Sequence, residues 1–238
     1  MENTVRKPVN GYDRVITFLR DQLLSGHLKR GDVLLPEREL CRVLDVSRPV
    51  LREALRALAI MGVIDIRHGV GSVVSSPDMT VLGDFFSFAL ADDADAVEEV
   101  VEARIAIECQ AARLAVSRAT ITDFERMRRF ADVIARTISD PVAGARADYD
   151  FHRALVDSSS ASALKTMYVA VADLLQRSHA DRRALVSADE AVQQQVVDDH
   201  YKILRTLTEG DADAAERAVR EHFEIGRRIR MQMSISRS

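Results

Sequence analysis

The sequence predicts a mainly α-helical protein in two parts: three short helices with a β-hairpin, and then an all-helical region. Three observations support this. Apolar residues recur at helical spacing along most of the 238 residues, glycine (10) and proline (5) are scarce, and β-favouring runs stop before residue 79. We therefore expect one domain over residues 1–76 and a second over residues 77–238.

Composition excludes several classes of protein. No apolar run reaches the ~18 residues that span a bilayer, and the N-terminus lacks the layout of a signal peptide. Cys41 and Cys109 lie in helical stretches far apart in the chain, so a disulfide framework is not expected. A cytoplasmic protein without a membrane partner fits these features. The net charge of −4 argues against a general polyanion binder.

The first domain begins with helical patterns over residues 12–25, 36–44 and 48–61. Two β-favouring runs, residues 63–67 and 72–74, follow and flank a loop that contains glycine, which predicts a β-hairpin. Three short helices followed by a hairpin make a winged helix-turn-helix. This is a DNA-binding architecture in which one helix enters the major groove.

Beyond residue 79 the sequence shows helical patterns broken by short polar stretches, among them Asp140-Pro141 and Glu209-Gly210. No internal repeat or low-complexity tract is present. The predicted helices lie near residues 80–91, 94–118, 121–138, 142–157, 161–183, 189–208 and 211–233.

An arginine stripe marks the third helix. Arg48, Arg52 and Arg56 are spaced at i, i+4 and i+8, opposite the apolar face. Arginine can contact guanine in two places or bind phosphate, and Ser47 leaves the helix N-terminus available for a phosphate. A solvated helix face is the alternative, since charged faces are common. The neighbouring hairpin favours DNA binding.

The same region resembles the GntR-type winged-helix signature. The resemblance lies in Gly31–Leu40, Val46–Leu55, Gly62–Ile64 and His68–Val74. Leu35 stands where the family usually has proline, and Pro49 where a small hydroxyl residue is frequent. The resemblance implies operator contacts by Arg38, Arg48, Arg52 and the wing pair His68-Gly69. With the two residues at the start of the third helix, the predicted DNA-binding set is Arg38, Ser47, Arg48, Pro49, Arg52, His68 and Gly69.

Three histidines of the second half lie on apolar helical faces. They are His152, His200 and His222, and Asp148 precedes His152 by one turn on the same face. Imidazole and carboxylate groups are costly to bury unless they are paired or bound to a metal. The three histidines and Asp148 could share one ion inside a helical bundle. Ordinary hydrogen-bonded core histidines are the alternative for each.

Arg104 and Glu108 form an i, i+4 pair on an apolar helix. A buried or interfacial salt bridge is one interpretation, and we favour it for Glu108. The functional interpretation is that Arg104 faces a pocket and binds a ligand carboxylate, since the guanidinium matches a carboxylate in two places.

The second half also resembles the FCD effector domain of the FadR-type GntR subfamily. The resemblance rests on Glu102 to Glu108, Asp148 to Leu155, His200 to Leu204 and Glu221-His222. It implies an antiparallel helical bundle that holds a divalent metal through Asp148, His152, His200 and His222. It also implies an organic-acid effector beside the metal, and a homodimer. Zinc is the expected metal, with nickel, manganese and others open.

Together these features predict a ligand-responsive transcription regulator, not an enzyme, that binds palindromic double-stranded operator DNA. We expect it to repress an operon for the catabolism or transport of a carboxylate. Two alternatives stay open. Three histidines and an aspartate could activate water in a metalloenzyme with an accessory DNA-binding module, although no nucleophile or general base is evident beside them. The second half could instead bind a lipid-like effector without metal.

Overall fold

The computed structural model describes residues 10–77, 79–89, 96–171, 174, 176 and 190–236. The chain divides into two compact units, Met1–Val81 and Leu82–Ser238. Within the described residues, no helix combines the length and the apolar character needed to cross a membrane.

The first unit contains the predicted winged helix-turn-helix. Apolar side chains of all three helices and both strands form its core, with Val15, Leu51 and Ala54 at 0% exposure. Ile64 lies opposite Val74 in the antiparallel hairpin. The elements are α1 (Gly11–Leu24), α2 (Glu37–Leu44), α3 (Arg48–Ile60), β1 (Ile64–Arg67) and β2 (Gly71–Val74).

The turns around α3 set its position. Asp45 ends α2 with its backbone in the left-handed region, at φ 49°, and α3 begins three residues later at Arg48. Ser47 occupies the N-cap position as predicted, but its side chain makes no capping hydrogen bond. A cap side chain accepts from the second or third backbone N–H of the helix, and Pro49 at the second position has none. Because the Ser47 side chain caps none of them, the backbone N–H groups of the first turn of α3, other than at Pro49, stay available to a ligand.

The second unit is a helical bundle. Its central helix, α5, packs against α7 and α10, while α6 packs against α7 and α9. The predicted helix 161–183 is described to Ala170, and most of its remaining range lies outside the described residues. The elements are α4 (Thr80–Ala89), α5 (Ala96–Arg118), α6 (Ile121–Arg136), α7 (Pro141–Ser158), α8 (Ser162–Ala170), α9 (Glu190–Glu209) and α10 (Ala212–Ser236).

Candidate DNA-binding face and candidate metal centre

The arginine stripe lies on the solvent side of α3. Arg48, Arg52 and Arg56 are exposed, and with Pro49 they border one surface groove along the helix. The opposite face of α3 is anchored by Leu51, Ala54, Leu55 and Leu58, which are buried in the core of the first unit. The helix therefore presents one cationic face in a fixed orientation.

Arg52 connects the stripe to the hairpin. Its Nε donates to Glu37 Oε2 at 2.9 Å, and this ion pair joins α3 to the start of α2. Arg52, His68 and Gly69 line a common surface hollow, so the third helix and the wing share one face. Arg38 is exposed but lies at a separate hollow, beside Pro36, Glu39 and Arg42.

The predicted metal ligands meet in the interior of the second unit. Helix α7 carries Asp148 and His152 one turn apart, α9 carries His200 and α10 carries His222. All four residues are buried, with at most 1% of the surface of each residue exposed. One ligand atom from each lies within 4.8 Å of the others, so the four form a group that could hold a metal ion.

The spacing of these atoms matches a coordination sphere. The Nε2 atoms of His152 and His222 are 3.2 Å apart, and His200 Nε2 lies 3.0 Å from Asp148 Oδ1. Zinc bonds nitrogen and oxygen at about 2.0–2.2 Å, which sets ligand atoms about 3.0–3.5 Å apart around the ion. Two of the ligand-atom separations therefore match those around a small divalent ion, and the whole group lies within 4.8 Å.

Hydrogen bonds on the far side of two rings determine which nitrogen faces the centre. His200 Nδ1 lies 2.7 Å from the carbonyl oxygen of Val196, and His152 Nδ1 lies 2.5 Å from Glu108 Oε2. A carbonyl or carboxylate oxygen only accepts, so each Nδ1 donates and a neutral ring keeps its lone pair on Nε2. The lone pair of His152 lies toward His222 Nε2 and that of His200 toward Asp148, in a group where a cation could bind.

Arg104 lies beside this group, on α5. Its Nε donates to Glu108 Oε1 at 3.0 Å, and its guanidinium lies 4.7 Å from the centroid of the Phe223 ring. Burial is the largest single effect and lowers the pKa of Arg104, but the charges of Glu108, Tyr168 and Asp148 and the hydrogen bond to Glu108 together raise that pKa above its usual value. Within the described part of the chain, Arg104 Nη2 has no hydrogen-bond partner.

Two residues of this region were not identified as functional from the sequence. Glu108 forms the predicted salt bridge and also bonds His152, 44 positions away in the sequence, a contact that no local pattern reveals. Tyr168 is 1% exposed and its ring stacks on that of Tyr149. From the sequence alone it is indistinguishable from an ordinary aromatic core residue. Its hydroxyl has no hydrogen-bond partner among the described residues.

The Tyr168 hydroxyl lies in the same electrostatic environment as the predicted site. Burial raises the pKa of Tyr168 well above the usual value. The charges of Glu108 and Asp148 raise it further, and the charge of Arg104 lowers it. The hydroxyl is therefore protonated near neutral pH and able to donate. The buried region thus contains two donors, Arg104 Nη2 and Tyr168 Oη, without a protein acceptor in the described residues.

Comparisons with known proteins match both units. Residues 11–74 match the family described as bacterial regulatory proteins, gntR family, and residues 99–225 match the FCD domain. The regulator LutR of Bacillus subtilis is 29% identical over 200 residues, covering 84% of this chain and 91% of LutR. The galactonate operon transcriptional repressor of Escherichia coli is 28% identical over 214 residues, covering 88% and 92%. These matches are regulators and do not favour an enzyme.

Solved structures support the fold. The structure of Streptococcus agalactiae GntR superposes with a TM-score of 0.65, at 24% identity, over 92% of this chain and 99% of that one. The predicted order of a winged helix-turn-helix and a helical effector domain is confirmed.

Substitution of the buried tyrosine tests whether its hydroxyl serves the fold. Tyr168→Phe removes a hydroxyl without a described partner, so we expect the free energy of unfolding of the metal-free protein to stay constant or rise. Tyr201→Phe is the matched control, because the Tyr201 hydroxyl donates to Asp132 at 2.6 Å, and we expect a loss of about 1 kcal/mol. Chemical denaturation followed by circular dichroism measures both. A larger loss from Tyr168→Phe than from Tyr201→Phe would show that the Tyr168 hydroxyl is structural.

Proposed function

The chain belongs to the gntR family of bacterial regulatory proteins and carries an FCD domain, and from that premise we propose that this DNA-binding transcription regulator senses a small organic acid at a divalent metal. The observation that carries the proposal is the buried group of Asp148, His152, His200 and His222, whose ligand atoms lie within 4.8 Å of one another beside Arg104.

The DNA-binding part of the proposal assigns residues 1–76 to operator recognition. The exposed arginines of α3 and the wing pair support it, because a helix with this cationic face fits the major groove. The uncapped start of α3, which begins after Ser47, offers backbone N–H donors for a phosphate, although Pro49 itself has none. Arg38, at its separate hollow, would contact the DNA backbone from α2. Operator DNA in a bacterium lies in the cytoplasm, where we place the protein.

The sensing part assigns residues 77–238 to effector and metal binding. A metal at this site would hold one oxygen of a carboxylate as a Lewis acid. Arg104 Nη2 would bind the other oxygen, and the Tyr168 hydroxyl would donate to a further acceptor of the ligand. The Escherichia coli relative is named for the operon of galactonate, which is a carboxylate, and this supports an acid as the effector class. Zinc suits three imidazoles and one carboxylate, with nickel and manganese as further candidates.

Coupling between the two functions needs a modest free energy. We propose a homodimer that places two α3 helices in successive major grooves of a palindrome, about one helical turn apart. An effector that favours one arrangement of the dimer changes operator affinity about 5–150-fold for a coupling of about 1–3 kcal/mol. We also propose that the protein represses an operon for the catabolism or transport of a carboxylate. The Escherichia coli relative supports this, because it is named as the repressor of the galactonate operon.

The proposed function is tested by operator binding in the presence of acids. An operator is first selected from random duplexes with the wild-type protein, and its affinity for metal-loaded protein is then measured by fluorescence anisotropy. A panel of 2-hydroxy carboxylates and sugar acids is added in turn. We expect at least one acid to shift operator affinity saturably and without being consumed. Conversion of an acid with no change in operator affinity would support the metalloenzyme alternative instead.

DNA recognition is tested at the arginine stripe. Arg52→Ala should weaken binding to the selected operator by about 1–3 kcal/mol if Arg52 reads a base. Arg20→Ala on α1 is the matched control, because the side chains of Arg20 and Arg52 are both 61% exposed and both paired with a carboxylate. Anisotropy titrations at fixed salt compare the two variants. Equal affinities for Arg52→Ala and wild type would remove Arg52 from the recognition surface.

Metal binding is tested by removing two ligands together. The wild-type protein should hold about one divalent ion per chain, and the double variant His200→Ala, His222→Ala should hold none. The remaining ligands are then buried without their ion, so the thermal midpoint should fall. Elemental analysis and thermal melts measure both effects, with His27→Ala, an exposed histidine outside the cluster, as the control. Wild-type protein that retains no metal after loading and desalting would show that the histidines are ordinary core residues.

A further inference from the structure

One carboxylate, Glu108, contacts both parts of the candidate sensor. Its Oε1 accepts from Arg104 Nε at 3.0 Å, and its Oε2 lies 2.5 Å from His152 Nδ1. The side chains of Glu108 and His152 are 0% exposed and that of Arg104 is 1% exposed, so solvent does not compete for these bonds. Glu108 thus connects the group that would bind an anion to a group that would bind the metal.

We propose that Glu108 is a positioning residue that fixes the tautomer of His152 and so prepares its Nε2 to bind the metal. A carboxylate facing Nδ1 can only accept, so the proton of the neutral ring stays on Nδ1 and the lone pair on Nε2. That Nε2 lies 3.2 Å from the Nε2 of His222, inside the proposed coordination sphere. The proposal rests on the proposed function, since it requires that the cluster binds a metal.

The other two histidines provide a comparison. The backbone fixes the tautomer of His200 in the same way, because His200 Nδ1 lies 2.7 Å from the Val196 carbonyl oxygen one turn earlier on α9. His222 Nδ1 lies 3.7 Å from Asp199 Oδ2, beyond the range of a direct hydrogen bond. The orientation of His152 depends on a side chain from another helix, and substitution can remove it.

Glu108 also restricts Arg104. Because Arg104 Nε is held by Glu108, the plane of the guanidinium is restricted, and the Phe223 ring supports the guanidinium, with Cζ 4.7 Å from the ring centroid. A single side chain therefore sets the orientation of both ligand-facing groups. An anion at Arg104 and a metal at His152 would each change the surroundings of the same carboxylate.

The decisive substitution is Glu108→Gln, which keeps the shape of the side chain. A carboxamide has one accepting oxygen and one donating nitrogen, so it cannot accept from both Arg104 and His152. With its oxygen on Arg104, its NH₂ donates to His152 Nδ1 and leaves a proton on Nε2, which then cannot bind a metal. Glu99→Gln, an exposed glutamate on the same helix, is the matched control.

The probes are Zn²⁺ and Co²⁺ alone, added to the metal-free full chain. Affinity is measured by competition with a chromophoric chelator, and the His152 tautomer by long-range ¹H–¹⁵N NMR, assigned with a His152→Asn variant. We expect Glu108→Gln to lower metal affinity about 10–100-fold and to move the His152 proton to Nε2, with Glu99→Gln unchanged. Absorption of bound Co²⁺ should change in Glu108→Gln as well, an effect that a general loss of stability would not produce.

The outcomes separate the two proposals. A folded Glu108→Gln variant with wild-type metal affinity and the wild-type tautomer overturns the role of Glu108 while the proposed function stands. Wild-type protein that binds neither ion overturns the proposed function and this inference with it. If Glu108→Gln does not fold, the wild-type spectrum decides: a proton on His152 Nδ1 supports the proposal, and a proton on Nε2 overturns it.

Discussion

The second unit is organised around a buried group of atoms that accept rather than donate. Nε2 of His152 lies 3.2 Å from Nε2 of His222, and Nε2 of His200 lies 3.0 Å from Asp148 Oδ1. Nδ1 of His152 is bonded to Glu108 and Nδ1 of His200 to the Val196 carbonyl. A cation among these atoms would stabilise the group further, because buried imidazole and carboxylate groups are costly unless they are paired or bound to a metal. The packing of α5, α7, α9 and α10 brings the group together, so a metal bound there would link metal binding to the folding of the bundle.

This arrangement assigns different tasks to the two units. The first unit has an apolar core from three helices and a hairpin, and its ionic groups lie on the surface, where Arg52 and Glu37 are 61% and 41% exposed. Among its described residues, the second unit buries six arginine, carboxylate and histidine side chains, namely Arg104, Glu108, Asp148, His152, His200 and His222. Surface cations serve a polyanion such as DNA, whereas buried acids and imidazoles serve a small ligand that enters the protein.

Sequence patterns predicted the elements because the apolar periodicity and the turn residues are local. They also predicted the four candidate metal ligands, since a histidine on an apolar helical face is recognisable from its neighbours at i±3 and i±4. The contacts of Glu108 could not be predicted, because its bond to His152 joins α5 to α7 across 44 residues. The missing capping hydrogen bond at Ser47 was not predicted, because serine at an N-cap ordinarily accepts from a backbone N–H of the first turn.

The account depends most on a cation bound by imidazole nitrogens at the centre of the second unit. X-ray absorption spectroscopy at the zinc edge of the loaded wild-type protein tests this directly. The account predicts about three imidazole nitrogens with at least one oxygen, at about 2.0–2.2 Å from the ion. A spectrum without imidazole scattering, or one dominated by sulfur or by water oxygens, would contradict it and place the metal elsewhere on the chain.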